Sequence, residues 1–234
     1  MRKLIGIGVG PGAEDLITLR ALRYLERADH IFVPRNKGKT RAYDIVKDFI
    51  DEEKVVFIEF PMGEDIREIY EDSARLIDET TKSGELSVLI TLGDGTIYAT
   101  LLEVFHRYPS TDIQMELVPG IPAFLAAING IVEALVKKGD SFLLVDNLED
   151  EENVTADMVA VLKTTKGDEI FSQLRAKGYY PLYFENIETD HWVMTDDSKK
   201  CEDRKAYMSL ILGRKEPWNM AVILNRIGDR IKVL

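Results

Sequence analysis

Short apolar runs alternate, through the first half of the chain, with segments in which apolar residues recur every three or four positions. An apolar run bounded by glycine or proline is typical of a buried strand, and the longer period is typical of an amphipathic helix. The predicted strands are Leu4–Val9, His30–Pro34, Lys54–Phe60, Leu86–Leu92 and Ile113–Val118. The predicted helices are Glu14–Ala28, Ala42–Ile50, Glu64–Ser83, Thr96–Tyr108 and Ala123–Leu135. This alternation predicts a mainly parallel sheet that is covered on both faces.

The pattern changes after about residue 118, where short apolar runs continue with fewer helices between them. The strands predicted there are Phe142–Val145, Met158–Leu162, Pro181–Phe184, Trp192–Met194, Tyr207–Leu212 and Met220–Leu224. Such a series indicates a mixed sheet. We therefore expect an α/β protein with two domains, 1–117 and 118–234, and place the boundary near Leu117.

Composition narrows the classes of function that the chain can have. With 45% hydrophobic and 30% charged residues, the 234-residue chain is typical of a globular protein. Its net charge of −11 argues against nucleic-acid or anionic-membrane partners. No apolar run approaches the roughly 20 residues of a membrane span. The single cysteine, Cys201, excludes an internal disulfide and fits a reducing cytoplasm. The three histidines lack metal-ligand spacing, so we predict no metal site.

Three glycine-rich segments follow predicted strands and precede predicted helices. They read Gly-Ile-Gly-Val-Gly-Pro-Gly over 6–12, Thr-Leu-Gly-Asp-Gly-Thr-Ile-Tyr over 91–98 and Val-Pro-Gly-Ile-Pro-Ala over 118–123. Glycine lets a backbone approach a ligand closely because it has no Cβ. Parallel sheets bind ligands in a crevice at the carboxyl ends of their strands, so we expect a small-molecule site there.

The first segment also satisfies a loose dinucleotide-binding fingerprint at Gly8, Gly10 and Ala13. That fingerprint calls for an acid at the end of the second strand, where this chain has Arg35. In addition, Pro11 lacks the backbone N–H that a pyrophosphate would use. A dinucleotide site is therefore disfavoured. A tight turn without any ligand remains an alternative to a ligand-binding loop.

Taken together, the three segments resemble those of the tetrapyrrole methylases, which use S-adenosylmethionine (SAM) to methylate corrin and sirohaem precursors. The segments 35–41, 42–46 and 60–62 are most similar to the branch that methylates C20 of precorrin-2 in cobalamin biosynthesis. The resemblance implies a homodimer of two-domain α/β subunits, with SAM in the cleft between the domains and a tetrapyrrole as substrate. It assigns no general base.

The resemblance also implies which residues contact SAM. These are Pro11, Leu92, Gly93, Asp94, Ile97, Pro122, Ala123 and Leu162. The chain departs from the family at Gly95, where a proline is usual, and at Pro122, where a hydroxyl residue is usual. Simpler explanations stay open as well. Asp94 could cap a helix at Thr96, Pro122 could simply begin a helix, and Leu162 could pack in the core.

A basic segment stands out against the acidic composition. Arg35, Lys37, Lys39 and Arg41 put four cations into seven residues without an acid, directly after the second strand. Arginine can grip carboxylates in a bidentate fork, which suits a polyanionic substrate. We therefore predict that Arg35, Lys37 and Arg41 bind substrate. A solvated loop at this position remains the alternative. The resemblance implies the same role for Gly10, since the first loop of the family borders the tetrapyrrole. Tyr98 is a further predicted substrate contact, and packing on a helix face is its alternative.

Overall fold

The computed structural model describes residues 1–36, 38, 40–60, 66–148, 154–164, 166–201 and 208–234, with only the backbone of Ile66. The chain divides into two compact units, Met1–Pro122 and Ala123–Leu234. The division lies a few residues after the predicted boundary at Leu117. The ends of the predicted elements at Glu64, Asp65 and Tyr207 lie outside the described residues.

The first unit is built on a parallel sheet of five strands. They are β1 (Arg2–Gly8), β2 (His30–Arg35), β3 (Val55–Glu59), β4 (Leu86–Thr91) and β5 (Ile113–Val118). Their order across the sheet is β3-β2-β4-β1-β5, and every pair runs parallel. The parallel sheet that the alternation of strands and helices predicted is thus confirmed.

In the described part of the first unit, four α-helices cover the two faces of this sheet, as expected. They are α1 (Leu19–Arg27), α2 (Arg41–Val46), α3 (Ile66–Thr80) and α4 (Thr100–His106). Ala21 of α1 and Ile45 of α2 share a core with Ile5 of β1, whereas Ala74 of α3 and Val104 of α4 pack with Leu4. Successive residues of a strand point to opposite faces, so β1 contributes to both cores.

The connections leaving β1 and β4 go to opposite faces of the sheet. The chain passes from β1 into α1 on one face and from the adjacent β4 into α4 on the other. Ligands of doubly wound sheets bind outside the carboxyl ends of strands at such a switch in direction. The fold therefore places a candidate site beyond Gly8 and Thr91, the paired ends of these two strands.

Two predicted helices of the first unit begin later than expected. The segment from Glu14 forms one 3-10 turn, Ile17 and Thr18 are extended, and α1 then begins with the Thr18 Oγ1 accepting from the Ala21 amide at 3.2 Å. Residues 96–98 form a turn and a bend, and α4 starts only at Thr100. In both places a cap or turn residue interrupts an apolar period that sequence periodicity treated as continuous.

The described residues of the second unit form a mixed sheet of six strands with three α-helices, and a mixed sheet was predicted for this half. The strands are β6 (Phe142–Val145), β7 (Met158–Leu162), β8 (Tyr180–Glu185), β9 (Val193–Thr195), β10 (Ser209–Arg214) and β11 (Lys232–Val233). The helices are α5 (Ala123–Gly130), α6 (Gly167–Ala176) and α7 (Met220–Ile227). The order is β11-β9-β8-β10-β7-β6, with β10 antiparallel to both neighbours.

The strand predicted at Met220–Leu224 is wrong, because these residues begin helix α7. The Asn219 side chain caps that helix by accepting from the Val222 amide at 3.2 Å. A run of five apolar residues fits a buried strand and a helix equally well, and the asparagine before it was the signal for a helix. Helix α5 ends at Gly130, earlier than the predicted Leu135.

None of the helices in the described ranges is both long and apolar enough to cross a membrane.

Candidate functional site

The three glycine segments meet at the carboxyl edge of the sheet in the first unit. Register pairs Gly8 of β1 with Thr91 of β4, and Ile7 of β1 with Val118 of β5. The segments that follow therefore leave three adjacent strands at the same level. The expectation that they share one edge is confirmed by this register.

The first and second segments are bonded directly through their backbones. The Gly10 amide donates to the Gly93 carbonyl at 3.2 Å, and the Gly93 amide donates to the Gly10 carbonyl at 2.8 Å. Both glycines have positive φ, +87° and +67°, which L side chains rarely adopt. This pair of hydrogen bonds extends the sheet beyond its last regular residues.

The third segment packs against the other two with no room for a side chain. A Cβ built on Gly120 would lie 2.0 Å from the Gly93 carbonyl oxygen and 2.7 Å from the Gly8 carbonyl. One built on Gly8 would lie 2.5 Å from that same Gly93 oxygen. The sequence predicted that these glycines let a ligand approach the backbone. That prediction is wrong for Gly8 and Gly120, because the space that a side chain would need is filled by neighbouring backbone.

Gly93 differs from these two glycines in its surroundings. A Cβ built on it would meet no atom within 4 Å. Its glycine requirement therefore comes from the positive φ, and its outer side faces open space at the sheet edge. Of the glycines at this convergence, Gly93 is one whose backbone a ligand can approach.

The Asp94 carboxylate ties the second segment to the third. Its Oδ1 accepts from the Thr96 amide at 2.8 Å and from the Thr96 hydroxyl at 2.5 Å, and its Oδ2 accepts from the Gly120 amide at 3.0 Å. The capping explanation is wrong as stated, because α4 begins only at Thr100. Asp94 instead closes a local turn and holds the Gly120 loop. Sequence reasoning did not foresee the Gly120 contact.

The other predicted site residues of the first unit lie within or next to the three glycine segments in sequence. Pro11 is buried, and Leu92, Ile97 and Pro122 are half-buried. Tyr98 is 44% exposed and has a φ of +45°, a left-handed conformation that is unusual for an aromatic residue. Strained conformations concentrate at ligand sites, which supports a role for Tyr98 without assigning one.

An acidic residue, Glu59, lies beside the basic segment although it is distant in sequence. The Arg35 Nε donates to Glu59 Oε1 at 2.5 Å, and its guanidinium lies 4.9 Å from the Phe57 ring centre. Glu59 ends β3, which pairs with β2 residue by residue, so parallel pairing was the missing signal. An ion pair this exposed adds little stability, but it orients the guanidinium.

Arg41 begins α2, is exposed and makes no ion pair with the described residues. Two residues on, the Tyr43 hydroxyl donates to Glu52 at 3.5 Å, and burial, with help from that carboxylate, raises the pKa of Tyr43. Lys37 and Lys39 lie outside the described residues, so their predicted role is not tested.

Two predicted SAM contacts belong to the second unit. Ala123 is the first residue of α5, and Leu162 is the half-buried last residue of β7. Its neighbours Val159 and Val161 lie in the core of this unit, and Leu162 itself is half-buried. Within the described ranges, no group of three or more potential ligand side chains is arranged to hold a metal ion.

Comparison with known proteins identifies the family. Residues 3–185 match the tetrapyrrole (corrin/porphyrin) methylases. The chain therefore belongs to this family of methyltransferases.

Two similar curated proteins are both named as cobalt-precorrin-2 C(20)-methyltransferases. A probable cobalt-precorrin-2 C(20)-methyltransferase of Methanocaldococcus jannaschii is 29% identical over 184 residues, which are 77% of this chain and 80% of that protein. The cobalt-precorrin-2 C(20)-methyltransferase of Salmonella typhimurium is 34% identical over 130 residues, 53% of this chain and 54% of that protein.

The fold also matches solved structures of the family. One is the uroporphyrin-III C-methyltransferase of Thermus thermophilus in complex with S-adenosylhomocysteine. It superposes with a TM-score of 0.65 at 17% identity, covering 91% of this chain and 97% of that one.

The packing of Gly120 predicts a large effect of a single methyl group. Gly120→Ala should lower the free energy of unfolding by about 2 kcal/mol or more, because backbone atoms must move to admit the Cβ. Gly95→Ala is the matched control, since its Cβ would meet Leu101 Cδ1 at an ordinary 3.5 Å. Urea unfolding of both variants measures the difference. Equal stability of the two variants would contradict the close packing of the three segments.

The contacts of Asp94 predict that both of its carboxylate oxygens stabilise the fold. Asp94→Asn keeps the size of the side chain but turns one acceptor into a donor, which then faces either the Thr96 or the Gly120 amide. Hydrogen bonds to a charged group contribute about 1.5–3 kcal/mol, so the variant should unfold more easily by about that amount. Thermal and urea unfolding check this result. Asp72→Asn is the control, because that carboxylate pairs with Arg75 on an exposed helix surface.

Proposed function

We propose that the chain is a SAM-dependent methyltransferase that methylates C20 of precorrin-2, or of cobalt-precorrin-2, in cobalamin biosynthesis. Family membership supports methyl transfer to a tetrapyrrole, and the names of the two curated relatives support C20 as the target. The same resemblance supports a homodimer, which sedimentation velocity would detect as a mass twice that of the 26.6 kDa chain.

The observation that carries this proposal is the convergence of the three glycine segments at one sheet edge. Backbone contacts fix Gly8, Gly10 and Gly120 in place, and Gly93 is left with an open outer side. The edge is therefore rigid where it meets protein and accessible where a ligand would lie. A preorganised site of this kind loses little entropy when a ligand binds.

The residues present fit SAM. The open side of Gly93 admits close approach of the methionine or ribose part, and the turn that follows is held in shape by Asp94. Gly95 in place of proline leaves that turn intact, because Thr96 and Gly120 fix the Asp94 side chain from both ends. When bound, SAM supplies an electrophilic methyl group. A solved relative of the same fold contains the demethylated product.

Methyl transfer to C20 requires mainly that the substrate is positioned correctly. C20 of a precorrin is already nucleophilic, because the ring nitrogens donate electrons to the bridge carbon as in an enamine. The protein would therefore have to orient the ring so that C20 meets the methyl group that SAM supplies. The new bond from C20 to the methyl group replaces the methyl–sulfur bond and leaves S-adenosylhomocysteine, and the C20 proton is lost afterwards to a base that the resemblance does not assign. Orientation of this kind can lower a barrier by about 7–11 kcal/mol in favourable cases. Arg35, Arg41 and Tyr98 are the residues that we assign to holding the ring.

Two alternatives remain. One is a methylase of the same fold that acts on another ring carbon or on a target other than a tetrapyrrole. The other is a relative that binds SAM without turnover, which is favoured by the departures from the family pattern at Gly95 and Pro122. Methylation of another substrate would indicate the first, and binding of S-adenosylhomocysteine without methylation of any tetrapyrrole would indicate the second.

The deciding experiment is anaerobic incubation of the protein with SAM and a panel of tetrapyrroles. The panel contains precorrin-2, cobalt-precorrin-2, precorrin-4 and uroporphyrinogen III. We expect mass spectrometry to detect one added methyl group on precorrin-2 or its cobalt complex, and NMR to place it on C20. Selective methylation of a different member would overturn the C20 assignment while leaving the family role intact.

Cofactor binding is tested separately by thermal melting. S-adenosylhomocysteine at 100 times its dissociation constant should stabilise the fold by about 2.7 kcal/mol, because it binds the folded state only. NAD at the same concentration is the control. A shift with NAD and none with S-adenosylhomocysteine would indicate a dinucleotide site instead.

The basic segment predicts how the substrate is held. Replacing both Arg35 and Arg41 by glutamine should weaken tetrapyrrole binding well over tenfold, since each charge-assisted hydrogen bond contributes roughly 1.5–3 kcal/mol. The remaining binding should depend less on salt, and the affinity for S-adenosylhomocysteine should hardly change. Fluorescence titration measures both ligands. Arg75→Gln, on the exposed surface of α3, is the control, and unchanged tetrapyrrole affinity in the double variant would show that the segment is solvated surface.

A further inference from the structure

The guanidinium of Arg35 is held along one edge and over one face at the end of β2. Its Nε donates to Glu59 Oε1 at 2.5 Å, and its Cζ lies 4.9 Å from the centre of the Phe57 ring. A cation within about 6 Å of a ring centre is attracted by the electrons of the ring face. Both partners come from β3, which pairs with β2 as far as Arg35 and Glu59.

A second aromatic ring supports the first. Tyr43 of α2 stands edge-on to Phe57, with 5.6 Å between the ring centres and 68° between the ring planes. This arrangement is one that aromatic pairs favour. Phe57 and Tyr43 are both half-buried, and both pack against the core that includes Ile45. The ring that Arg35 covers is therefore fixed by packing, which a long arginine side chain on a protein surface usually is not.

The guanidinium still has donors to offer to a ligand. A guanidinium donates from Nε and from two Nη groups, and Glu59 takes the single hydrogen on Nε. Among the described residues, neither Nη group of Arg35 has a hydrogen-bond partner, and 38% of the side chain is exposed. A carboxylate can therefore bind in a bidentate manner only at the end of the fork, by accepting from both Nη groups.

The sheet places this free end of Arg35 near the glycine segments. β2 lies beside β4, and the register of Phe32 with Leu89, continued along both strands, brings Arg35 level with Leu92. Gly93, whose outer side is open, follows Leu92 directly. All of these residues belong to the first unit. The guanidinium and the open glycine therefore lie at the same edge of one sheet.

We propose that Phe57 is a positioning residue for substrate binding, whose ring, together with Glu59, holds the Arg35 guanidinium so that its two Nη groups receive one carboxylate of the tetrapyrrole end-on. The inference rests on the proposed function, which assigns Arg35 to holding the substrate. An arginine that nothing restrains loses rotamer freedom when it binds a ligand. The ring and the ion pair restrict Arg35 beforehand, so less affinity is lost to ordering.

The test separates the ring of Phe57 from its apolar bulk. Phe57→Leu and Phe57→Met keep an apolar side chain without a ring, and Phe57→Tyr keeps the ring. Each variant is made in the parent and in Arg35→Gln, so that the changes form a double-mutant cycle. Phe49→Leu is the matched control, because that phenylalanine is also partly exposed in the first unit. Anaerobic titration calorimetry measures the binding of cobalt-precorrin-2 and of S-adenosylhomocysteine, and thermal melting measures stability.

We expect the two ringless variants to bind cobalt-precorrin-2 about three- to fivefold more weakly, which corresponds to the loss of one exposed cation–π contact. Phe57→Tyr and Phe49→Leu should bind it as the parent does. In the Arg35→Gln background the ringless variants should cause no further loss, because the ring acts only through the guanidinium. The affinity for S-adenosylhomocysteine should be the same in every variant.

Three results would overturn the proposal. Ringless variants that bind cobalt-precorrin-2 as tightly as the parent would show that the ring has no part in binding. An equal loss in the parent and in the Arg35→Gln background would show that the ring acts without Arg35. A parallel fall in the affinity for both ligands, with a lower melting temperature, would show that Phe57 only stabilises the fold. Failure of the proposed function looks different, since the parent itself would then not bind cobalt-precorrin-2, and the inference would fall with it.

Discussion

The candidate site depends on one close contact, in which the Gly93 carbonyl lies between the backbones of Gly8 and Gly120. Three segments that leave adjacent parallel strands would normally diverge as loops. Here the absence of side chains lets their main chains touch, and the Gly10–Gly93 pair of hydrogen bonds fastens two of them together. The edge of the sheet becomes a small rigid surface, on which the open side of Gly93 can face a ligand.

Asp94 extends this contact through a side chain. Its carboxylate satisfies amides on both the second and the third segment, so the turn that follows β4 and the loop that follows β5 move together. Both oxygens of this carboxylate accept hydrogen bonds from the two segments, so its role in the structure is to hold the shape of the site.

Sequence periodicity was sufficient for the architecture, because parallel strands buried on both faces leave strong apolar runs such as Leu86–Thr91. It failed where a polar residue before or within an apolar run caps a helix and so decides where that helix begins. Asn219 turns Met220–Leu224 into a helix, and Thr18 delays α1. Within the site, the sequence identified the glycines but not why glycine is required there. The close approach of Gly8 and Gly120 joins strands that are distant in sequence. The Arg35–Glu59 pair was missed for the same reason.

The position of single cations bears on how an acidic protein could hold polycarboxylate ligands. A net charge of −11 repels such ligands in general, so binding has to come from cations fixed at particular places. Glu59 orients the Arg35 guanidinium at the end of β2. This neighbouring carboxylate restricts a flexible cation before any ligand arrives. Part of the entropy cost of binding is then met during folding, and the surrounding acidity restricts attraction to those positions.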